Sequence, residues 1–254
     1  MVGASLYYPF VHRFYAPGFA PDSAFELPAD EAQHLARVLR LRSGDEIAVF
    51  DGAGKEARAH VVSVSSRGVT ARVIGPHVAA PEARVAVTLS QALLKSDKMD
   101  RVIRDAVMLG VAAVQPFVSR RTDVPIGAVK KGGRQDRWDR TVVASVKQSG
   151  RAVVPLVHPT RAFADVLRST ERQTRLMFVE PGTAHQVADV TSLEGQRPME
   201  AMVLIGPEGG WDTQEIVDAA NSGVMLLSFG ARVLRADAAA AAVIPVLRYI
   251  WRDL

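Results

Sequence analysis

Short apolar runs separated by turn residues fill the first eighty positions. Residues 46–50 (EIAVF) form one such run, and Asp51-Gly52-Ala53-Gly54 after it is a strong turn signal. Residues 55–64 (KEARAHVVSV) predict a second strand, and residues 69–74 (VTARVI) alternate apolar and polar positions as a half-buried strand does. Before them, residues 30–39 (DEAQHLARVL) carry apolar side chains at helical spacing. Several short strands with one helix predict a small barrel. Gly75-Pro76 and Ala79-Ala80-Pro81 then read as a linker, dividing the chain into residues 1–78 and 79–254.

Beyond the linker, apolar runs alternate with amphipathic segments. Residues 85–89, 112–118, 176–179, 202–205 and 224–227 predict strands. Residues 96–109 (SDKMDRVIRDAVML) predict a helix with Ser96 as its N-cap and Gly110 past its end. Residues 134–147 predict another helix, ended near Gly150. Residues 237–251 predict a last one, in which Pro245 kinks the helix or frees a carbonyl. This alternation predicts an α/β domain with a largely parallel sheet.

Three loops stand out in that second part. Glu180-Pro181-Gly182, Gly206 to Gly210 (GPEGG) and Ser228-Phe229-Gly230-Ala231-Arg232 each follow an apolar strand. In parallel α/β sheets ligands sit at the carboxyl ends of strands, and glycine lets a backbone approach them closely. Asp212 with Glu215 matches a capping box, with Trp211 able to staple onto Ile216, so the second loop runs into a well-formed helix start. Neither a phosphate-binding Gly-Lys-Ser/Thr nor a G-x-G-x-x-G after a strand is present, which argues against an NTPase and a nucleotide-linked dehydrogenase.

Composition adds constraints. Apolar residues make up 48% and charged residues 23% of the 254, typical of a globular protein. There is no cysteine, so disulfides and thiolate zinc sites are excluded. The six histidines show no metal spacing, and no metal is expected. No apolar run is long enough to span a bilayer, and a cytoplasmic protein is expected. Net charge is +4, but residues 95–151 hold thirteen Lys/Arg against six Asp/Glu, 13 − 6 = +7. Such an excess points to an anionic partner such as nucleic acid, or to an ordinary solvated basic face.

GPEGG after an apolar strand, followed by LSFGARVLRADAA over residues 227–239, resembles the SPOUT methyltransferases. Further shared features are His34-Leu35-x-x-Val38-Leu39-Arg40 with Gly44-Asp45, the run from Lys95 to Asp100 (KSDKMD), Leu109-Gly110-Val111, Arg137-Trp138 and Gln148-x-x-Arg151. Taken in order over nearly the whole chain, these are similar to the bacterial RsmE family, which methylates N3 of a uridine in 16S ribosomal RNA. The resemblance implies an N-terminal PUA-like β-barrel that binds RNA and a C-terminal trefoil-knotted α/β domain. It also implies S-adenosyl-L-methionine as methyl donor, a homodimer, and the assembled small ribosomal subunit as substrate. Four positions depart from the family pattern: Met108, Lys147, and Asp237-Ala238 in place of Glu-Thr.

The resemblance places the cofactor at Val179, Glu180, Ile205, Gly206, Glu208, Gly209, Leu227, Ser228, Gly230, Val233, Leu234 and Ala236, with Gly206 and Gly209 leaving room for backbone contact. Methylating uracil N3 requires loss of its proton, helped by a base or by nearby positive charge. Arg235 is the candidate for orienting the base or stabilising its anion, ahead of Arg232 and Glu208; a structural ion pair with Asp237 is the competing role. Arg13, Arg37 and Arg40 in the first part, and Lys95, Lys98 and Arg151 in the second, are the candidate RNA contacts. Trp138 and Trp211 carry rings able to stack on bases, against core or capping roles. Three alternatives stay open: a SPOUT ribose 2′-O methyltransferase, a non-catalytic RNA-binding assembly factor, and an unknotted anion-binding metabolic enzyme.

Overall fold

The computed structural model describes residues 11–20, 23–124, 133–168, 174–183 and 186–253. The chain divides into two units, one of residues 1–81 with Val146–Val154, the other of residues 82–145 with 155–254.

In the first unit, β1 (Arg13–Tyr15), β2 (Ala24–Glu26), β3 (Glu46–Phe50), β4 (Glu56–Ser65) and β5 (Gly68–Pro76) form a five-stranded sheet in the order β1-β3-β4-β5-β2. Helix α1 (Ala29–Gln33) continues as a π-helical turn over His34–Leu39, which stops where Arg40 turns left-handed at φ 55°. Phe14, Leu35, Ile47, Val49, Ala59 and Ala71 pack the core between them. His34 packs beside Phe14, with ring centroids 6.4 Å apart.

Segment Val146–Val154 is held in this unit by Arg13. Its Nε and Nη2 donate to Glu56 at 2.9 and 2.7 Å, Nη1 donates to the carbonyls of Val146 and Lys147 at 2.9 and 2.8 Å, and Nη2 also donates to the Arg151 carbonyl at 2.7 Å. Those five bonds use every donor a guanidinium has. Lys147 donates to both carboxylate oxygens of buried Glu31 and lies over the Phe14 ring. Burial pushes the Glu31 carboxyl up, and the Lys147 hydrogen bond pulls the other way.

The second unit begins with β6 (Ala86–Ala92), α2 (Lys98–Met108) and β7 (Ala113–Val118). Next comes α3 (Arg134–Ser149), whose last turn already belongs to the first unit. Strands β8 (Leu156–Val157) and β9 (Arg161–Ala162) lead into α4 (Phe163–Arg168) and β10 (Thr174–Phe178). Then follow β11 (Ala188–Asp189), β12 (Glu200–Ile205), α5 (Thr213–Asn221), β13 (Met225–Ser228) and α6 (Ala236–Ile250). Seven strands lie in the order β11-β13-β10-β12-β6-β7-β8, with β9 also on β7, and every pairing is parallel. A parallel sheet is covered on both faces, which is why β10 and β12 read as near-continuous apolar runs.

One local expectation changes, and Trp138 takes the core role weighed for it. Helix α2 starts at Lys98 with Asp97 at the N-cap and no side-chain cap; Ser96 is not the cap, because its backbone is left-handed at φ 56° one residue earlier. Trp138 is fully buried and its indole N–H donates to Asp100 at 3.0 Å, so its ring belongs to the interior and is not free to stack on a base. Helix α6 runs through Pro245 and is tied down by Arg248, which donates to the carbonyls of Val85 and Gly110 and to Asp253. The Asp253 carboxylate also accepts the backbone N–H groups of Arg84 and Val85 at 2.7 and 3.0 Å.

Candidate active site

Register brings the three glycine-bearing loops together. Phe178 at the end of β10 pairs with Ile205 on one side and Leu227 on the other, so β12, β10 and β13 end at one level. The loops that leave them line a cavity of about 530 Å³ with the start of α6 and Lys98 of α2. Phe178, Val179, Ile205, Val233, Leu234 and Val243 give it an apolar wall; Glu180, Glu208, Asp237, Lys98, Arg232 and Arg235 give it charge.

The glycine loop owes its shape to internal packing. A Cβ on Gly206 would lie 2.9 Å from the Trp211 ring, and one on Gly209 would lie 3.0 Å from the Arg121 carbonyl oxygen. Gly210 needs its left-handed φ of 70°, and a Cβ there would meet Glu180 at 2.8 Å. Trp211 cannot yield. Its indole donates to the Phe178 carbonyl at 2.8 Å, and its ring stacks on Phe117 at 5.8 Å. Room for a ligand is thus a by-product of glycines that let a tryptophan close the floor. The capping box is present: Asp212 accepts from the backbone of Gln214, and Glu215 accepts from that of Asp212. Buried Glu215 also accepts the Arg120 N–H at 2.8 Å.

Ion pairs edge the cavity. Lys98 donates to Glu208, whose other oxygen accepts the Lys95 N–H at 3.3 Å, while the Lys95 ammonium pairs with Asp123 at 2.7 Å. The hydrogen bond to Asp123 raises the Lys95 pKa. Arg235, the N-cap residue of α6, donates from Nε and Nη2 to Asp237 at 3.0 and 2.8 Å. Its side chain stays 74% exposed while that of Asp237 is 14% exposed. The Arg235 hydrogen bond holds the Asp237 carboxyl below the usual range, against the pull of desolvation, and Asp237 in turn raises Arg235.

Of the residues expected at the cofactor, Val179, Glu180, Ile205, Gly206, Glu208, Val233, Leu234 and Ala236 line the cavity, as does Arg235. Gly209, Leu227, Ser228 and Gly230 do not; Leu227 is core and Gly209 packs on Arg121. Lys98, expected on RNA, is a lining residue. Arg37 and Arg40 are exposed on the first unit. Arg13 and Arg151 are corrections. Arg13 has no donor left for a phosphate, and Arg151 is only 4% exposed. Sequence reasoning missed Asp237 as a site residue, although its place in the first turn of a helix beginning at a ligand loop was a usable signal.

Residues 81–248 match the RNA methyltransferase domain family and residues 27–74 match the RNA methyltransferase PUA domain family. The chain belongs to the RNA methyltransferase family. The methyltransferase is 25% identical over 229 residues to ribosomal RNA small subunit methyltransferase E of Bacillus subtilis, covering 89% of this chain and 90% of that one. It is 28% identical to the protein of the same name from Mycobacterium bovis, covering 84% and 81%. Among solved structures, ribosomal RNA small subunit methyltransferase E from Neisseria gonorrhoeae, bound to S-adenosyl methionine, matches with TM-score 0.84 and 30% identity over 95% of this chain and 98% of that one. A methyltransferase from Legionella pneumophila, with the bound cofactor SAM, matches with TM-score 0.87 and 28% identity over 94% and 97%. The methyltransferase is therefore a PUA-like domain followed by a SPOUT α/β domain.

The residues present fit S-adenosylmethionine. An apolar wall suits an adenine ring, and the Glu180 carboxylate beside it suits ribose hydroxyls. Among the described residues no group of His, Cys, Asp and Glu is arranged to hold a metal ion, and no helix is long and apolar enough to cross a membrane.

Proposed function

We propose that this protein transfers a methyl group from S-adenosyl-L-methionine to N3 of a uridine in 16S ribosomal RNA, acting on the small ribosomal subunit in the cytoplasm as a homodimer. The observation that carries the reading is the cavity at the joined carboxyl ends of β10, β12 and β13, apolar on one side and charged on the other, in a chain of the RNA methyltransferase family. When bound, the cofactor supplies an electrophilic methyl on a sulfonium.

Val179, Ile205, Val233 and Leu234 hold the adenine, and Glu180 takes the ribose hydroxyls. Arg235, exposed at the cavity edge, orients the uracil and stabilises the negative charge that grows on it as the N3 proton leaves. Residues 1–78 serve as the RNA-binding PUA-like domain. Arg37 and Arg40 there, with Lys95 and Lys98 beside the cavity, hold the RNA backbone. Val233, 71% exposed beside the cavity, supports a second copy covering that edge.

The test is methyl transfer from labelled S-adenosylmethionine to small subunits lacking the modification, followed by nucleoside mass spectrometry. N3-methyluridine in the product is the expected result. Methylated ribose in its place moves the reading to 2′-O transfer. Absence of both transfer and cofactor binding overturns it.

A further inference from the structure

We infer that Asp237 is the proton acceptor of the reaction, and that the Arg235–Asp237 pair together reads the imide edge that distinguishes uracil from cytosine. The inference rests on the proposed uracil-N3 reading.

Uracil presents an N3–H between two carbonyl oxygens. A complementary surface needs an acceptor for the N–H and, beside it, a donor for a carbonyl. The cavity edge offers that arrangement. Arg235 binds Asp237 through Nε and Nη2, one bond to each carboxylate oxygen, at 3.0 and 2.8 Å. Nη2 carries a second N–H on the outer side of that pair, with no hydrogen bond among the described residues, and the side chain is 74% exposed. Each Asp237 oxygen accepts one bond from Arg235 and the carboxylate also accepts its own backbone N–H, which leaves one of about four lone-pair sites for a further donor. A donor and an acceptor thus stand side by side, held by a pair that is rigid because it is bidentate.

The other two cavity carboxylates are placed differently. Neither accepts from an arginine among the described residues: Glu208 accepts from Lys98 and the Lys95 N–H, and Glu180 lies close to Gly210. Asp237 also lies in the first turn of a fifteen-residue helix, where the dipole favours a carboxylate.

The step balances. Asp237 takes the N3 proton, the electron pair left on N3 forms the N–CH₃ bond, and the pair of the breaking S–CH₃ bond stays on sulfur, which loses its charge. Charge passing onto the imide oxygens is met by Arg235, and the proton leaves to solvent beside that exposed arginine. Cytosine has no proton on N3 and presents a lone pair to the carboxylate, so it is repelled.

Two measurements test this: cofactor affinity by calorimetry, and single-turnover methyl transfer to small subunits against pH. For Asp237→Asn we expect cofactor affinity within about twofold of the parent and a rate on the order of 100-fold lower at neutral pH, the usual contribution of a positioned base. The variant's rate should climb with pH as hydroxide takes over, while the parent's stays flat. Asp237→Glu, which keeps the carboxylate, should keep the flat profile and restore much of the rate, and so covers the case in which Asn fails to fold. Transfer by Asp237→Asn at the parent rate, or a uniform loss with the parent's pH profile, overturns the inference and leaves the proposed function standing. Failure of the parent itself to methylate uridine N3 brings down both.

Discussion

At the scale of single residues, glycines and arginines carry the site, and each for a reason set by its neighbours. Gly206 faces a tryptophan that is hydrogen-bonded and stacked in place. Gly206→Ala therefore forces the loop away from the β12 end, at a cost of about 1–3 kcal/mol. A lower thermal midpoint and weaker cofactor binding, read by scanning fluorimetry with and without S-adenosylmethionine, are expected together. The sequence showed that this loop mattered but not why, because the clash partners lie elsewhere in the chain: Trp211 a few residues on, Arg121 far back. The same limit hid the role of Arg13. Nothing local tells a surface arginine from one whose five donors are all satisfied internally. Arg13→Ala removes a charged donor from three carbonyls and from buried Glu56, so loss of stability on the order of 3 kcal/mol is expected in chemical denaturation.

At the scale of elements, the longer strands and the capping box at Asp212 were the most legible features. Residues 46–50 are a strand to the residue, since an apolar run between a helix end and an Asp-Gly turn leaves little freedom. The capping box at Asp212 was equally plain, because capping chemistry is local. Asp212→Ala removes it, with an expected cost of about 1 kcal/mol in thermal or urea unfolding. Strands of two or three residues, such as β8, β9 and β11, left no periodic trace, and tertiary pairing alone defines them. The clasp at the end of α6 was also invisible, since Asp253 and its partners Arg84 and Val85 are far apart in sequence. It has a pH signature. Desolvation works to raise the Asp253 pKa, but the Val85, Arg84 and Arg248 hydrogen bonds outweigh it and the net shift is downward. A carboxylate depressed by folding stabilises fully above its unfolded value and loses that stabilisation as pH falls through the folded one. The thermal midpoint should therefore drop on acidification below about pH 4. Asp253→Asn should start lower and show a shallower drop.

At the scale of the molecule, charge governs RNA encounter and chain order governs folding. Arg37 and Arg40 are exposed on the first unit, where phosphate contacts would make affinity fall with salt. Each replacement by alanine is expected to lower the slope of log affinity against log salt by about 1, measured by filter binding, and to leave cofactor affinity unchanged.

The first unit also closes around Val146–Val154, through the guanidinium of Arg13 and the pairing of Gly52 with Val153. It is therefore no detachable cassette. One cut near residue 81 removes its sheet but leaves behind a stretch whose carbonyls have lost their donor. A chimera that exchanges the leading segment alone inherits a mismatched socket, and a working transplant must carry two pieces at once.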